Sequence, residues 1–354
     1  MGKKTSYKIK NKIDIKNLKY YYGIPHAHCS FSTGRGTPLE AFEYARHNGL
    51  NFLILTDHNN YLTGSVRIKG NDLSKWEASK FLSSRYNRRH ENFLSLVGFE
   101  SKTDPFGDIN IVNSNRFFTG KVTNLQLLVL WMLNNPNSFI SINHPHKSIK
   151  NLEYNPILNK IITSIEVGNG SLPNKYIRYE KYYYYLLDKG WKLGAINGQD
   201  NHRMNFGDDE NLTCMISTEL TSNSLVTAFR NRRTFSTESR SLTMYFTIND
   251  YFMGDALPYY DDKELRFTIF AEDLRYRIKE ISIISNQGIT IKNIPNLNIS
   301  RIKYIYNHVP QPNEHWYVIK VILDDNKIAI SSPIFRWSIL KLEQSGFATL
   351  FSPM

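Results

Sequence analysis

Five of the ten histidines in this 354-residue chain stand in short contexts that share one logic. His26 and His28 form a His-x-His after Gly23-Ile24-Pro25, and His58 ends Thr56-Asp57-His58. His144 sits in Asn143-His144-Pro145 behind the apolar run Phe139 to Ile142. His202 closes Gly198-Gln199-Asp200-Asn201-His202 behind Leu193-Gly194-Ala195-Ile196. Two carboxylates occupy equivalent places, Glu100 after Leu94 to Phe99 and Asp200 inside the last motif. Imidazole nitrogen together with carboxylate oxygen suits Zn, Mn or Fe, and a bridging carboxylate can hold two cations. A metal lowers the pKa of bound water from about 15.7 towards ~7 and stabilises charge on a phosphoryl or carbonyl oxygen. Each context alone has a bland reading as a hydrogen-bonded structural residue. All of them together, each behind an apolar run, do not. His47, His90, His146, His308 and His315 lack that support, and His146 reads as a surface neighbour of His144.

Such residues converge only if a fold brings them together. From about 20 to 240, short apolar runs alternate with helix-like segments, the pattern of βα units around a parallel sheet. Thr37, Pro38 and Glu40 spell a helix start with a capping box, Gly49 a helix end, and Phe52 to Leu55 a strand buried on both faces. In a barrel the strand C-termini share one face, so ligands distant in sequence meet there. From about 241, Leu242 to Ile248, Leu265 to Phe270, Ile278 to Ile284, Trp316 to Ile322 and Ile328 to Ile334 read as strands of a small β-sandwich. The expected division is a basic segment 1–20, a barrel 21–240, a sandwich 241–340 and a tail 341–354. The polar loop Asn307 to His315 reads as a connection, with enough reach to approach the active-site mouth.

Composition narrows the function classes. Charged residues make up 21% and no window approaches eighteen apolar residues, so no membrane span is expected. No secretory signal is evident, and a cytoplasmic protein is expected. Gly2 and Ser6 fit the short myristoylation pattern, which is a weak signal. The two cysteines, Cys29 and Cys214, read as packing residues. The formal charge of +12 favours a small anionic, phosphorylated substrate. Seven lysines fall in the first nineteen residues, however, and nucleic-acid binding is not indicated.

These motifs resemble those of the polymerase and histidinol phosphatase (PHP) superfamily of metal-dependent hydrolases, and within it the carbaryl-hydrolase-like branch. The stretches that carry the resemblance are His26-Ala27-His28 with Gly36 to Glu40, Leu55 to His58, Gly98-Phe99-Glu100, Asn143 to Pro145, Gly198 to His202 and Ile328 to Ile334. The resemblance implies a distorted (β/α)7 barrel holding two to three divalent metal ions (Mn, Zn or Fe). It assigns His26, His28, Glu100 and Asp200 to a first metal, Glu100 and His144 to a second, and His58 and His202 to a third. Relatives often have Asp where this chain has Ser32-Thr33-Gly34, which makes the expected third site weak or absent. Where relatives often have Gly-His-x-Asn, this chain has Gly107-Asp108-Ile109-Asn110, and Asp108 is expected to ligate the second metal. The function so implied is hydrolysis of a phosphate mono- or diester by a metal-bound hydroxide. In that reading Asp200 and His58 or His202 act in catalysis, and Arg35 and Arg203 clamp the phosphate. An amide or carbamate hydrolase and a non-catalytic metal-stabilised binding module are the alternatives.

Overall fold

In the computed structural model, residues 13–258 and 264–337 are described; the expected tail, the start of the basic segment and Gly2 and Ser6 lie outside them. The first half is built on Lys19–Ile24 (β1), Phe52–Leu55 (β2), Leu94–Thr103 (β3), Gly107–Val112 (β4), Phe139–Ile142 (β5), Ile162–Asn169 (β6) and Gly194–Gly198 (β7). They lie side by side in chain order. The pairs β1–β2, β2–β3, β5–β6 and β6–β7 are parallel. β4 departs from the expected βα rhythm, because it runs antiparallel to both its neighbours. Only Asp104-Pro105-Phe106 separates it from β3, too few residues for the crossover helix that a parallel strand needs. No continuous ladder joins β1 to β7 among the described residues. The gap is spanned by the Ala27–Asn201 bridge and by Thr213 Oγ1, which serves the amide and the carbonyl of Asn197 at 2.8 Å each.

The strand faces divide the interior. Val97, Phe99, Ile109, Ile111, Ile140, Ile142, Ile165 and Val167 face outwards into a core shared with Trp76, Met132 and Leu186 of the flanking helices. The alternate positions face inwards. At the strands' N-terminal ends, Phe52, Ile54, Leu94, Leu96 and Phe139 pack on Leu225 and Phe229 of the helix Ser222–Arg230, which plugs that end. Further along, the inward positions turn polar: Glu100 is paired in register with Asn110, and Asn110 with Ser141. The helix Pro38–His47 has its Thr37–Glu40 capping box, with the Thr37 hydroxyl accepting from the Glu40 amide, and ends at Gly49 with φ +75°.

The sheet does not stop at the end of this half. Leu212–Ser217 (β8) pairs antiparallel with β1, and Thr234–Thr237 (β9) with β8. Ile328–Ser331 (β10), from the far end of the chain, then pairs with β9 and leads on to Trp316–Leu323 and Ile278–Ser285. The expected strand Ile328 to Ile334 is two strands, Ile328–Ser331 and Ile334–Trp337, broken at Ser332-Pro333 because proline has no N–H for a ladder. A second antiparallel sheet, Leu242–Ile248, Leu265–Asp273 and Arg301–His308, covers this end. Met244, Phe246, Phe267 and Ile269 of one sheet meet Ile281, Ile283, Ile319 and Val321 of the other. The expected sandwich is thus an antiparallel two-sheet region. The loop after Arg301–His308 is bound within it, through His308 to Glu314 at 2.7 Å and the His315 amide to Asn286 at 2.7 Å.

Candidate metal centre

The donor residues are presented by backbone that leaves the strand ends. His26 and His28 follow β1, His58 follows β2, His144 follows β5, and Asp200 and His202 follow β7. Glu100 is the exception, since it lies within β3, which runs on to Thr103. Main-chain bonds stitch these segments together: the His28 amide donates to Asn201, the Asp200 amide to His26, the Thr56 amide to Ala27, and the Glu100 amide to Asp57. His144 at φ +22° and Asp200 at φ +50° hold backbone conformations that non-glycine residues seldom adopt. Strain of this kind persists where the surroundings over-determine it, and it clusters at functional sites.

Glu100 is the hub. Its Oε1 lies 3.3 Å from His144 Nε2 and 3.5 Å from His26 Nε2, and its Oε2 lies 3.0 Å from His58 Nδ1 and 3.4 Å from His28 Nε2. Asp200 Oδ1 lies 3.0 Å from His28 Nε2 and 3.3 Å from His26 Nε2, which are themselves 3.3 Å apart. Three groups of donors form: His26, His28 and Asp200; His26, Glu100 and His144; and His28, His58 and His202. The spacing fits a metal. A tetrahedral ion about 2.1 Å from each donor separates its donors by about 3.4 Å. The surroundings fit as well. Asn110, fully buried beside Glu100, has neither side-chain atom hydrogen-bonded, and Asn143 donates to Glu100 at 2.9 Å while its own Oδ1 is unpartnered.

Asp108 and Thr33 both lie apart from the donor groups. Asp108 stands outside all three donor groups, opposite Lys102 in the ladder and nearer the mouth than Glu100. Burial and the charge of Glu100 raise its carboxyl above the ordinary range. Thr33 is exposed and takes no part, yet the group containing His58 and His202 is completed by His28. Its rings pack closely, His28 at 4.5 Å from each of His58 and His202.

Three residues outside the expected donor set hold the donors in place. Glu166, fully buried within β6, accepts from His26 Nδ1 at 2.8 Å, from Asn169 Nδ2 at 2.7 Å and from the His144 amide. A carboxylate on the other ring nitrogen of a ligand histidine fixes its tautomer and raises its basicity. Asp57 accepts from the Cys29 amide at 2.9 Å and from the hydroxyl of Ser32, and so pins the loop after His28. Asn143 is the third. The one sequence signal for Glu166 is a lone carboxylate in the strand-like stretch Ile161 to Val167, whose other polar residues are the small Thr163 and Ser164.

Charge in the cluster is strongly coupled. Burial works against protonation of His26, but the carboxylates of Asp200, Glu166 and Glu100 outweigh it and raise its pKa well above the usual value. His28 is likewise pushed up to about 9, against burial, by Asp200 and Glu100. Burial would raise the carboxyls of Glu100 and Asp200, yet the histidines hold both well below the usual range. His202 moves the other way, lowered by burial and by His28. Beside it opens a cleft of about 410 Å³ lined by Arg35, Arg203, His202 and the loop 171–174. The two arginines therefore share one wall system with His202. His146 is exposed and bonded to Ser148, as a surface neighbour would be.

No protein-family model and no curated protein matches the sequence. Among solved structures, the chain is similar to a two-domain protein from Bacteroides vulgatus containing a predicted PHP-like metal-dependent phosphoesterase. The TM-score is 0.51 at 14% identity, covering 94% of this chain and 99% of that one. That likeness is one of fold, over both halves of the molecule. PsfC from Pseudomonas syringae matches at TM-score 0.39 and 14% identity, over 61% of this chain and 90% of that one. An amidohydrolase from Chromobacterium violaceum with bound sulfate and no metal matches at 0.32 and 14%, over 50% and 86%. No helix among the described residues is long and apolar enough to cross a membrane.

Proposed function

We propose that the chain is a metal-dependent hydrolase of the PHP type acting on a small phosphate mono- or diester. The observation that carries this reading is Glu100, whose two oxygens lie within 3.5 Å of four histidine nitrogens at the meeting point of three donor groups. Two to three divalent ions (Mn, Zn or Fe) held there would lower the pKa of water and neutralise charge on phosphoryl oxygens. His26, His28, Glu100 and Asp200 would hold the first, Glu100 and His144 the second, and His58 and His202 with His28 the third.

The remaining work falls to the chain's own groups. Glu166 keeps His26 turned so that Nε2 faces Asp200 and Glu100. His202 bonds through Nδ1 to the Asp200 carbonyl at 2.9 Å, which leaves Nε2 to hold the third metal or, where that metal is not bound, to carry a proton to a departing alcohol. His58, a third exposed and bonded through Nδ1 to Glu100, would serve in the same way where it holds no metal. Arg35 and Arg203, on the cleft beside His202, would fork onto phosphoryl oxygens and orient the ester.

Purified protein loaded with Mn²⁺ or Zn²⁺ should contain two or three ions per chain and turn over p-nitrophenyl phosphate or its diester. His26→Ala should abolish turnover while the circular dichroism spectrum stays that of the folded chain. Turnover of a p-nitroanilide or aryl carbamate, with neither phosphate ester touched, would transfer the site to carbonyl chemistry, which the same donor set supports. Fewer than two ions after reconstitution, with no turnover, would instead indicate a binding module.

A further inference from the structure

The cleft beside His202 is not lined by charge alone. Leu172 forms part of its wall and is 70% exposed. A single exposed leucine on a loop is ordinary. This one, however, is held in place from both sides of its backbone. Its amide donates to Asp209 Oδ2 at 3.0 Å, and its carbonyl accepts from Asn205 Nδ2 at 2.6 Å. Two residues earlier, Gly170 donates to the Gly198 carbonyl at 3.3 Å and accepts from Asn211 Nδ2 at 2.8 Å. Gly170 sits at φ +124°, and a Cβ there would lie 2.5 Å from the Lys175 carbonyl, so the turn is shaped closely around it. Every one of these anchors comes from residues 198–211, the segment that also carries Asp200, His202 and Arg203. The backbone of the apolar wall is therefore tied to the segment that carries the donors, and Leu172, which lines the cleft beside His202, is placed to meet a ligand there.

We propose that Leu172 and Pro173 form the apolar half of a substrate subsite, and that the substrate is a phosphate monoester of an aryl or branched alkyl alcohol. This rests on the phosphate-ester reading above. The phosphoryl group lies towards Arg35, Arg203 and His202, and the alcohol portion lies against Leu172. In the reaction a water oxygen bonds to phosphorus, the P–O bond to the alcohol breaks, and the alcohol leaves with the proton that the attacking water gives up. Inorganic phosphate is the other product. Leu172 is thus a specificity residue that discriminates among alcohols.

The test uses the full chain loaded with Mn²⁺ and two esters, phenyl phosphate and glycerol 2-phosphate. The wild type should prefer the phenyl ester in kcat/KM, and Leu172→Ser should lower that preference about tenfold, the scale expected for a lost apolar contact. In parallel, titration calorimetry with phenylphosphonate and methylphosphonate, which are not hydrolysed, should show the same phenyl preference and its loss in Leu172→Ser. An unchanged ratio in the variant, or no phenyl preference in the wild type, overturns the subsite. If neither ester is turned over, the phosphate-ester reading fails, and the phosphonate pair still decides the subsite. A phenyl preference erased by the substitution supports it, and none refutes it.

Discussion

Replacing Glu166 by glutamine should weaken the metal binding proposed for His26, His28, Glu100 and Asp200 without changing any of those four residues. All three partners of the carboxylate are donors: the His26 ring N–H, the Asn169 amide group and the His144 backbone N–H. A glutamine has one accepting oxygen. With that oxygen turned to Asn169 and His144, the new NH₂ meets the His26 ring and forces its N–H to the other nitrogen, which is the one facing Asp200 and Glu100. With the oxygen turned to His26, the NH₂ opposes two donors. Either orientation forfeits at least one charge-assisted bond in a site shut off from water, worth about 1.5–3 kcal/mol. Removal of a carboxylate behind a ligand histidine typically costs 10- to 100-fold in metal affinity, or about 1.4–2.7 kcal/mol. Competition of Zn²⁺ or Mn²⁺ with a chelating dye measures this directly. E166Q should show a weaker tightest site, with turnover partly restored by excess metal. An affinity equal to wild type would refute the idea that Glu166 sets the His26 tautomer.

Two further outcomes follow from the same geometry. In metal-free protein near pH 7, His28, pushed up to about 9, carries a proton, and the carboxylates around His26 favour its protonated form too, so that a metal must displace protons. Loading should therefore release protons and weaken as pH falls below about 9, and calorimetry in two buffers of different ionisation enthalpy should give different heats; identical heats would contradict the shifts. At the opposite end of the strands, Phe229 stacks on Phe139 with ring centres 4.8 Å apart. Phe229→Ala should cost about 3–5 kcal/mol and lower the melting temperature by several degrees. Metal content should hold at 25 °C, and its loss in a folded variant would mean that the plug and the donor cluster are not separate layers.

Much of this was legible because apolar runs announce buried strands and polar residues directly after them announce strand ends. His26, His28, His58, His144, Asp200 and His202 were all found that way, and the structure brings them together. The rest was hidden for physical reasons. Glu166 sits within a strand, where an apolar run conceals which residues face inwards, and only the register across β5 and β6 turns it towards His26. The antiparallel course of β4 is fixed by three turn residues and not by its own pattern. Asp108 was expected to ligate because of its place in a motif, but along β4 it lies one inward step beyond Asn110, nearer solvent. The role of His28 in the group with His58 and His202 depends on ring packing, which a sequence does not display. Arg301–His308 alternates but is half exposed along its length, so its inward Ile302, Tyr304 and Tyr306 did not stand out.

The pairing of β9 with β10 has a consequence for how the chain is made. Thr234–Thr237 leaves the ribosome nearly a hundred residues before Ile328–Ser331, the strand that covers its free side. Until then a row of unpaired N–H and C=O groups stands at the border of an otherwise complete first half, a template on which another chain can add. Ser332 arrives later still, and with it the hydroxyl that accepts from the Ala195 amide at 3.0 Å and donates to the Thr234 carbonyl at 2.6 Å. A nascent chain released near residue 240 would therefore be open at its border and prone to self-association. The last strands thus act as the closing stitch of the first half, joined to it along β9 and at Ala195.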